Sequence, residues 1–119
     1  NFRAVLAAAS AKELRRFIDE SYPFERDTMD AAYLGDLLVT SYSSFSRNRR
    51  LGKLIGHGCT VKSALNEMTM IAEGYFAANC IKHINEKHNI YMPIAEMVYD
   101  VLYRRMSPRK RMKELTALL

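Results

Sequence analysis

The sequence predicts an all-α bundle of about seven helices. Apolar residues recur at helical spacing along nearly the whole chain, Ser, Thr or Pro stands at the start of most apolar segments, and no segment reads clearly as a strand. A length of 119 residues suits one domain, and 49% hydrophobic against 26% charged residues is the balance of a chain that folds around a core.

Taking the elements in order, Phe2, Val5, Leu6, Ala9, Leu14, Phe17 and Ile18 form the apolar side of a first helix reaching about Glu20. Arg3, Lys12, Arg15 and Arg16 fall to its polar side. Ser21-Tyr22-Pro23 ends it, because the residue before proline avoids the helical region. Asp27 caps a second helix through Met29, Ala32 and Tyr33, which Gly35 interrupts. Leu37-Leu38-Val39-Thr40 is short enough to be a strand, yet an isolated strand leaves its backbone groups unpaired, so helix is preferred. Ser41, Ser43, Ser44 and Ser46 then mark a loop around Tyr42 and Phe45.

Ser46 caps the next helix, which carries Leu51, Leu54 and Ile55 and ends at Gly56-His57-Gly58 through a left-handed residue. Thr60 caps a helix with Val61, Ala64, Leu65 and Met68 inward. Glu73 to Lys87 forms a long amphipathic helix, with Ala77, Ile81 and Ile84 opposite Lys82, Glu86 and Lys87. Pro93 occupies the favoured first position of a helix whose core stripe is Ile94, Met97, Val98, Val101 and Leu102. Ser107-Pro108 repeats that start for a last helix through Met112, Leu115 and Leu119. Met68, Met70, Met97 and Met112, with Tyr75, Phe76, Tyr99 and Tyr103, are expected to be core.

Cys59 and Cys80 lack metal-ligand spacing, and His57, His83 and His88 do not pair at helical ligand spacing, so no metal is assigned. No apolar run approaches bilayer length, and Asn1 to Leu6 lack the layout of a secretory signal. A cytoplasmic protein without membrane insertion is the expectation. The chain opens with Asn inside a helical pattern, as a fragment of a longer protein would. The net charge of +5 suits an anionic partner without distinguishing nucleic acid from a small phosphate ester.

The distribution of that charge is more informative. In Gly35 to Arg50, GDLLVTSYSSFSRNRR, a serine-rich loop leads into Arg47, Asn48, Arg49 and Arg50 on the first turn of a helix. That end of the macrodipole is already positive and normally attracts Asp or Glu. Arginines there suit a bound anion, held by the open N–H groups of the first turn and by charge-assisted bonds, and phosphate is the natural candidate. A solvated basic face is the ordinary alternative for such a run, and Asp36 equally suits a cap on a neighbouring N–H.

The stretch GDLLVTSYSSFSRNRRLG resembles the signature of the C-terminal domain of NAD(P)-dependent glycerol-3-phosphate dehydrogenases. Ile71-Ala72-Glu73-Gly74, Met92-Pro93-Ile94 with Glu96, Val98 and Tyr99, and Val101-Leu102-Tyr103 match further family motifs in the family's order. Asn1 to Leu6 resembles the family's opening helix. Two departures are Ala31-Ala32-Tyr33-Leu34 before the Gly-Asp pair and Ser41 after Thr40, where a cysteine is frequent.

The resemblance implies an all-α fold like the 6-phosphogluconate dehydrogenase C-terminal domain. It implies a part in reversible hydride transfer between NAD or NADP and dihydroxyacetone phosphate, giving sn-glycerol 3-phosphate for phospholipid synthesis. Asp36, Thr40, Ser46, Arg47 and Asn48 would bind substrate, with Arg47 bridging to the dinucleotide, and Ile71 and Glu73 would touch the cofactor. A homodimer is a further family expectation. The dinucleotide-binding domain and the catalytic lysine would precede Asn1, which leaves this chain without a catalytic residue and inactive alone. Two other readings compete: a basic helical module holding nucleic acid through the arginines of 47–50, Arg104, Arg105 and 109–111, and a helical interaction domain without chemistry.

Overall fold

The computed structural model describes residues 1–21 and 46–119. The expectations for the second helix, the 37–40 segment and the serine loop up to Phe45 fall outside these residues. The described part is all helical, with α1 (Phe2–Ser21), α2 (Arg47–Gly56), α3 (Val61–Glu67), α4 (Glu73–His88), α5 (Pro93–Tyr103) and α6 (Pro108–Leu118). Among the described residues no helix is long and apolar enough to cross a membrane.

The capping residues act as their positions predict. The hydroxyls of Ser46, Thr60 and Ser107 accept from Arg49 N, Ser63 N and Lys110 N at 3.3, 3.1 and 3.3 Å, each satisfying a first-turn N–H that the helix cannot pair itself. Gly58, at φ 109°, is the left-handed residue that turns the chain after α2. Asn89, at φ 51°, does the same after α4, and the Asn85 carboxamide holds Ile90 by both of its backbone groups, at 2.7 and 2.9 Å.

The core gathers Leu51 and Ile55 of α2, Ala64 of α3, Ala72, Met97 and Val101 of α5, and Leu115 of α6. Met68, Tyr75, Val98, Leu102 and Met112 pack against it, so the stripes read on α2, α3, α5 and α6 do face inward. On α4 the face differs from the expectation. Ala77 and Ile84 are exposed, while Tyr75, Ala78, Ile81, Lys82 and Asn85 are half-buried. The helix docks on α5, α1 and α2 through those residues, a rotation that periodicity cannot choose when an apolar residue stands on both sides. Met70, Phe76 and Leu119, assigned to the core, are likewise exposed. Met70 lies in the connection between α3 and α4, and Leu119 follows the last residue of α6.

Two carboxylates are buried. Glu13 of α1 accepts from Ile94 N and Ala95 N at 2.9 and 2.8 Å, capping α5 from a different helix. Its neighbour Arg16 donates to the Tyr91 carbonyl at 2.7 Å and lies over the Tyr91 ring. Asp100 of α5 meets Arg111 of α6 at 3.0 Å and Arg104 at 3.3 Å, and Arg111 reaches on to Glu114 at 2.5 Å. Together they hold α1 against the start of α5 and α6 against its end.

Candidate phosphate and dinucleotide site

The site begins with a helix that lacks a cap of its own. Ala72 precedes α4 and has no side-chain acceptor for the open first-turn N–H groups. The Asn48 carboxamide of α2 supplies one, with Oδ1 accepting from Gly74 N at 2.8 Å across 26 positions of sequence. The first turns of α2 and α4 are thereby fastened together. Two positive helix ends meet there, a concentration of partial charge that favours an anion.

Ser46, Arg47, Asn48, Ile71 and Glu73 all come to this junction or its edge. Ser46 is committed to capping α2 through its hydroxyl, which makes its first role structural. Arg47 is the first residue of α2 and exposed, so its guanidinium has room to meet a ligand. Asn48 is exposed as well, but its oxygen is occupied by α4, leaving Nδ2, which can only donate, as the group it offers to an anion. Glu73 is the first residue of α4, where a carboxylate is favoured by the helix end, and Ile71 is 58% exposed just before it. Asp36 and Thr40 lie outside the described residues.

Around the junction, Gly74 and several residues expected in the core join Ile71 in completing its wall. Gly74 touches the Asn48 side chain directly. From Asn48 and Gly74 a cleft of about 400 Å³ runs inward between α2, α5 and α6, past Leu51, Ile55, Met97 and Met112. Met70, Ile71 and Phe76 edge a second recess of about 330 Å³ beside the start of α4. An apolar lip next to a cationic junction suits a ligand with both a ring and a phosphate. The helical spacing of Phe76 suggests burial, yet the residue is exposed, and no local signal distinguishes an exposed aromatic from a core one.

The basic stripe of the nucleic-acid reading is broken in three dimensions, since Asp100 engages Arg104 and Arg111. Among the described residues no cluster of His, Cys, Asp or Glu has the makings of a metal site.

Comparison with known proteins gives no support to that reading and agrees with the resemblance. The family model described as NAD-dependent glycerol-3-phosphate dehydrogenase C-terminus matches residues 1–113. Glycerol-3-phosphate dehydrogenase, NAD(P)+, of Francisella tularensis subsp. novicida (strain U112) is 44% identical over 82 residues, covering 69% of this chain and 25% of that protein. Its namesake from Francisella tularensis subsp. holarctica (strain LVS) matches to the same extent. The crystal structure of glycerol-3-phosphate dehydrogenase from Coxiella burnetii superposes with a TM-score of 0.90 at 28% identity, over 95% of this chain and 35% of that one. The match thus spans a quarter of the length of these curated relatives. With nearly its whole length matched by one family model and its helices superposing on a solved member, the chain belongs to the family of NAD-dependent glycerol-3-phosphate dehydrogenase C-terminal domains.

Proposed function

We propose that this chain is the substrate-holding domain of an NAD(P)-dependent glycerol-3-phosphate dehydrogenase whose dinucleotide-binding domain precedes Asn1. The observation that carries the reading is the junction of the α2 and α4 first turns beside Arg47, tied by Asn48 and Gly74. The intact enzyme transfers hydride reversibly between NAD or NADP and the central carbon that interconverts dihydroxyacetone phosphate and sn-glycerol 3-phosphate, with proton transfer by a lysine of the preceding domain.

Within that reaction this chain positions the substrate. Arg47 binds the substrate phosphate and the dinucleotide with charge-assisted bonds, and Asn48 adds a donor from Nδ2. Ser46 keeps the first turn of α2 ordered so that its N–H groups stay aimed at the anion. Ile71 and Glu73 meet the dinucleotide along the start of α4, and the exposed Ile71 and first-turn Glu73 are chemically fitted to an apolar ring and to sugar hydroxyls. Asp36 and Thr40 orient the reacting end of the substrate. Fixing the phosphate holds the carbonyl carbon in line for transfer, and such positioning accounts for much of the rate in two-substrate reactions.

The test is Arg47→Met in the full-length enzyme. KM for dihydroxyacetone phosphate should rise about tenfold to a hundredfold, the value of one or more charge-assisted bonds, with little loss of thermal stability because Arg47 is exposed. An unchanged KM sinks the reading.

A further inference from the structure

Asn48 and Gly74 share more than the hydrogen bond of 2.8 Å between them. A Cβ added at position 74 would lie 2.8 Å from Asn48 Oδ1, 2.9 Å from Cγ and 3.1 Å from Nδ2, so the carboxamide occupies the space that a side chain at 74 would need. Gly52, on the helix that carries Asn48, has nothing within 4 Å of the same added atom. Glycine at 74 is also not needed for backbone conformation, since its φ is not in the left-handed region. Space for one side chain is what this glycine provides.

We propose that Gly74 is a positioning residue for the phosphate site: its missing side chain lets Asn48 lie over the start of α4 and fixes which prong of the carboxamide meets the anion. The inference rests on the reading of Arg47 and Asn48 as phosphate-holding residues. With Oδ1 bound to an N–H, the amide cannot flip without placing donor against donor, so Nδ2 remains the prong for the ligand. The same contact ties Asn48 to the Ile71–Glu73 segment, so a shift of the carboxamide also disturbs the dinucleotide side of the junction. A methyl at 74 pushes the carboxamide away and costs both functions.

The experiment is a set of variants in the full-length enzyme, read by steady-state kinetics and by hydrogen exchange at the Gly74 amide. Gly74→Ala should raise KM for dihydroxyacetone phosphate about tenfold, the size of one charge-assisted bond, with a smaller change in kcat, while Gly52→Ala leaves KM unchanged. In an Asn48→Ser background, where the obstructed group is gone, Gly74→Ala should add less than about twofold. Asn48→Asp keeps the acceptor for Gly74 but turns the other prong from donor to anion, so Gly74 stays protected from exchange while KM rises. This variant keeps the question answerable should Gly74→Ala fail to fold. An equal effect of Gly74→Ala in both backgrounds overturns the proposal, because the methyl then acts through α4 and not through Asn48. Loss of Gly74 protection in Asn48→Ser with KM unmoved in every Asn48 variant overturns it through the reading it rests on, a result distinguishable from a failed contact because the hydrogen bond is then demonstrated.

Discussion

At the scale of single residues, Glu13 is placed against its own chemistry. It is 6% exposed, and burial pushes its carboxyl above the ordinary range even though Ile94 N, Ala95 N and the charge of Arg16 pull the other way. A folded-state value above the unfolded one means that folding takes up a proton in the window between them. This group therefore makes the fold lose stability as pH rises through the window, with the cost complete above it. Comparing wild type with Glu13→Gln by urea unfolding between pH 4 and 7, wild type should lose ground to the variant as pH rises, and a flat difference refutes the assignment. Glu13→Ala removes both acceptors from buried N–H groups and should cost about 1–3 kcal/mol at neutral pH in the same measurement. Glu13 stands four residues after Ala9 and four before Phe17, on the apolar side of α1, so a signal existed in the sequence. It was indecisive because the partner N–H groups lie more than eighty positions away.

At the scale of elements, two ion-pair arrangements of the same residue types have different consequences. Arg15 and Asp19 on α1 sit 3.5 Å apart with side chains 71% and 48% exposed, where solvent screening leaves little net gain. Asp100 is 6% exposed along its side chain and holds Arg111, itself 17% exposed, across the α5–α6 corner. Asp100→Ala leaves Arg111 only its Glu114 partner and takes a carboxylate from Arg104 as well, so it should destabilise the fold by about 1–3 kcal/mol, while Asp19→Ala should stay within about 0.5 kcal/mol. Thermal or urea unfolding of the two variants checks both, and equal losses contradict the argument. The corner itself turns on Arg105, at φ 55°, where the Asp100 carbonyl accepts from both Arg104 N and Met106 N at 3.1 Å. Helix starts were legible because a cap is a local contract between a side chain and an N–H three residues on. The inward face of α4 was not, because apolar residues lie on both of its sides and the choice between them is made by α5 and α1.

At the scale of the whole molecule, the function proposed gives this chain the holding of the phosphate and gives the proton-transferring lysine and most of the dinucleotide site to another domain. The 119-residue chain alone should show no oxidation of NADH or NADPH by dihydroxyacetone phosphate, followed by absorbance; measurable turnover would falsify that division of labour. Among the described residues, the sequence by itself determined the helical class, the helix starts and the core stripes of α2, α3, α5 and α6, because these depend on spacing and capping between near neighbours, while the family was legible through the resemblance of its motifs. It also placed Arg47 and Asn48 on the first turn of a helix, an end whose positive charge suits an anion. Tertiary structure alone decided that Asn48 spends its oxygen on Gly74, that Glu13 and Asp100 are interior charges, and that Ile71 and Phe76 face outward beside the junction. Each of these depends on which distant backbone group or helix face arrives within a few ångströms, and residue spacing along one chain does not encode that distance.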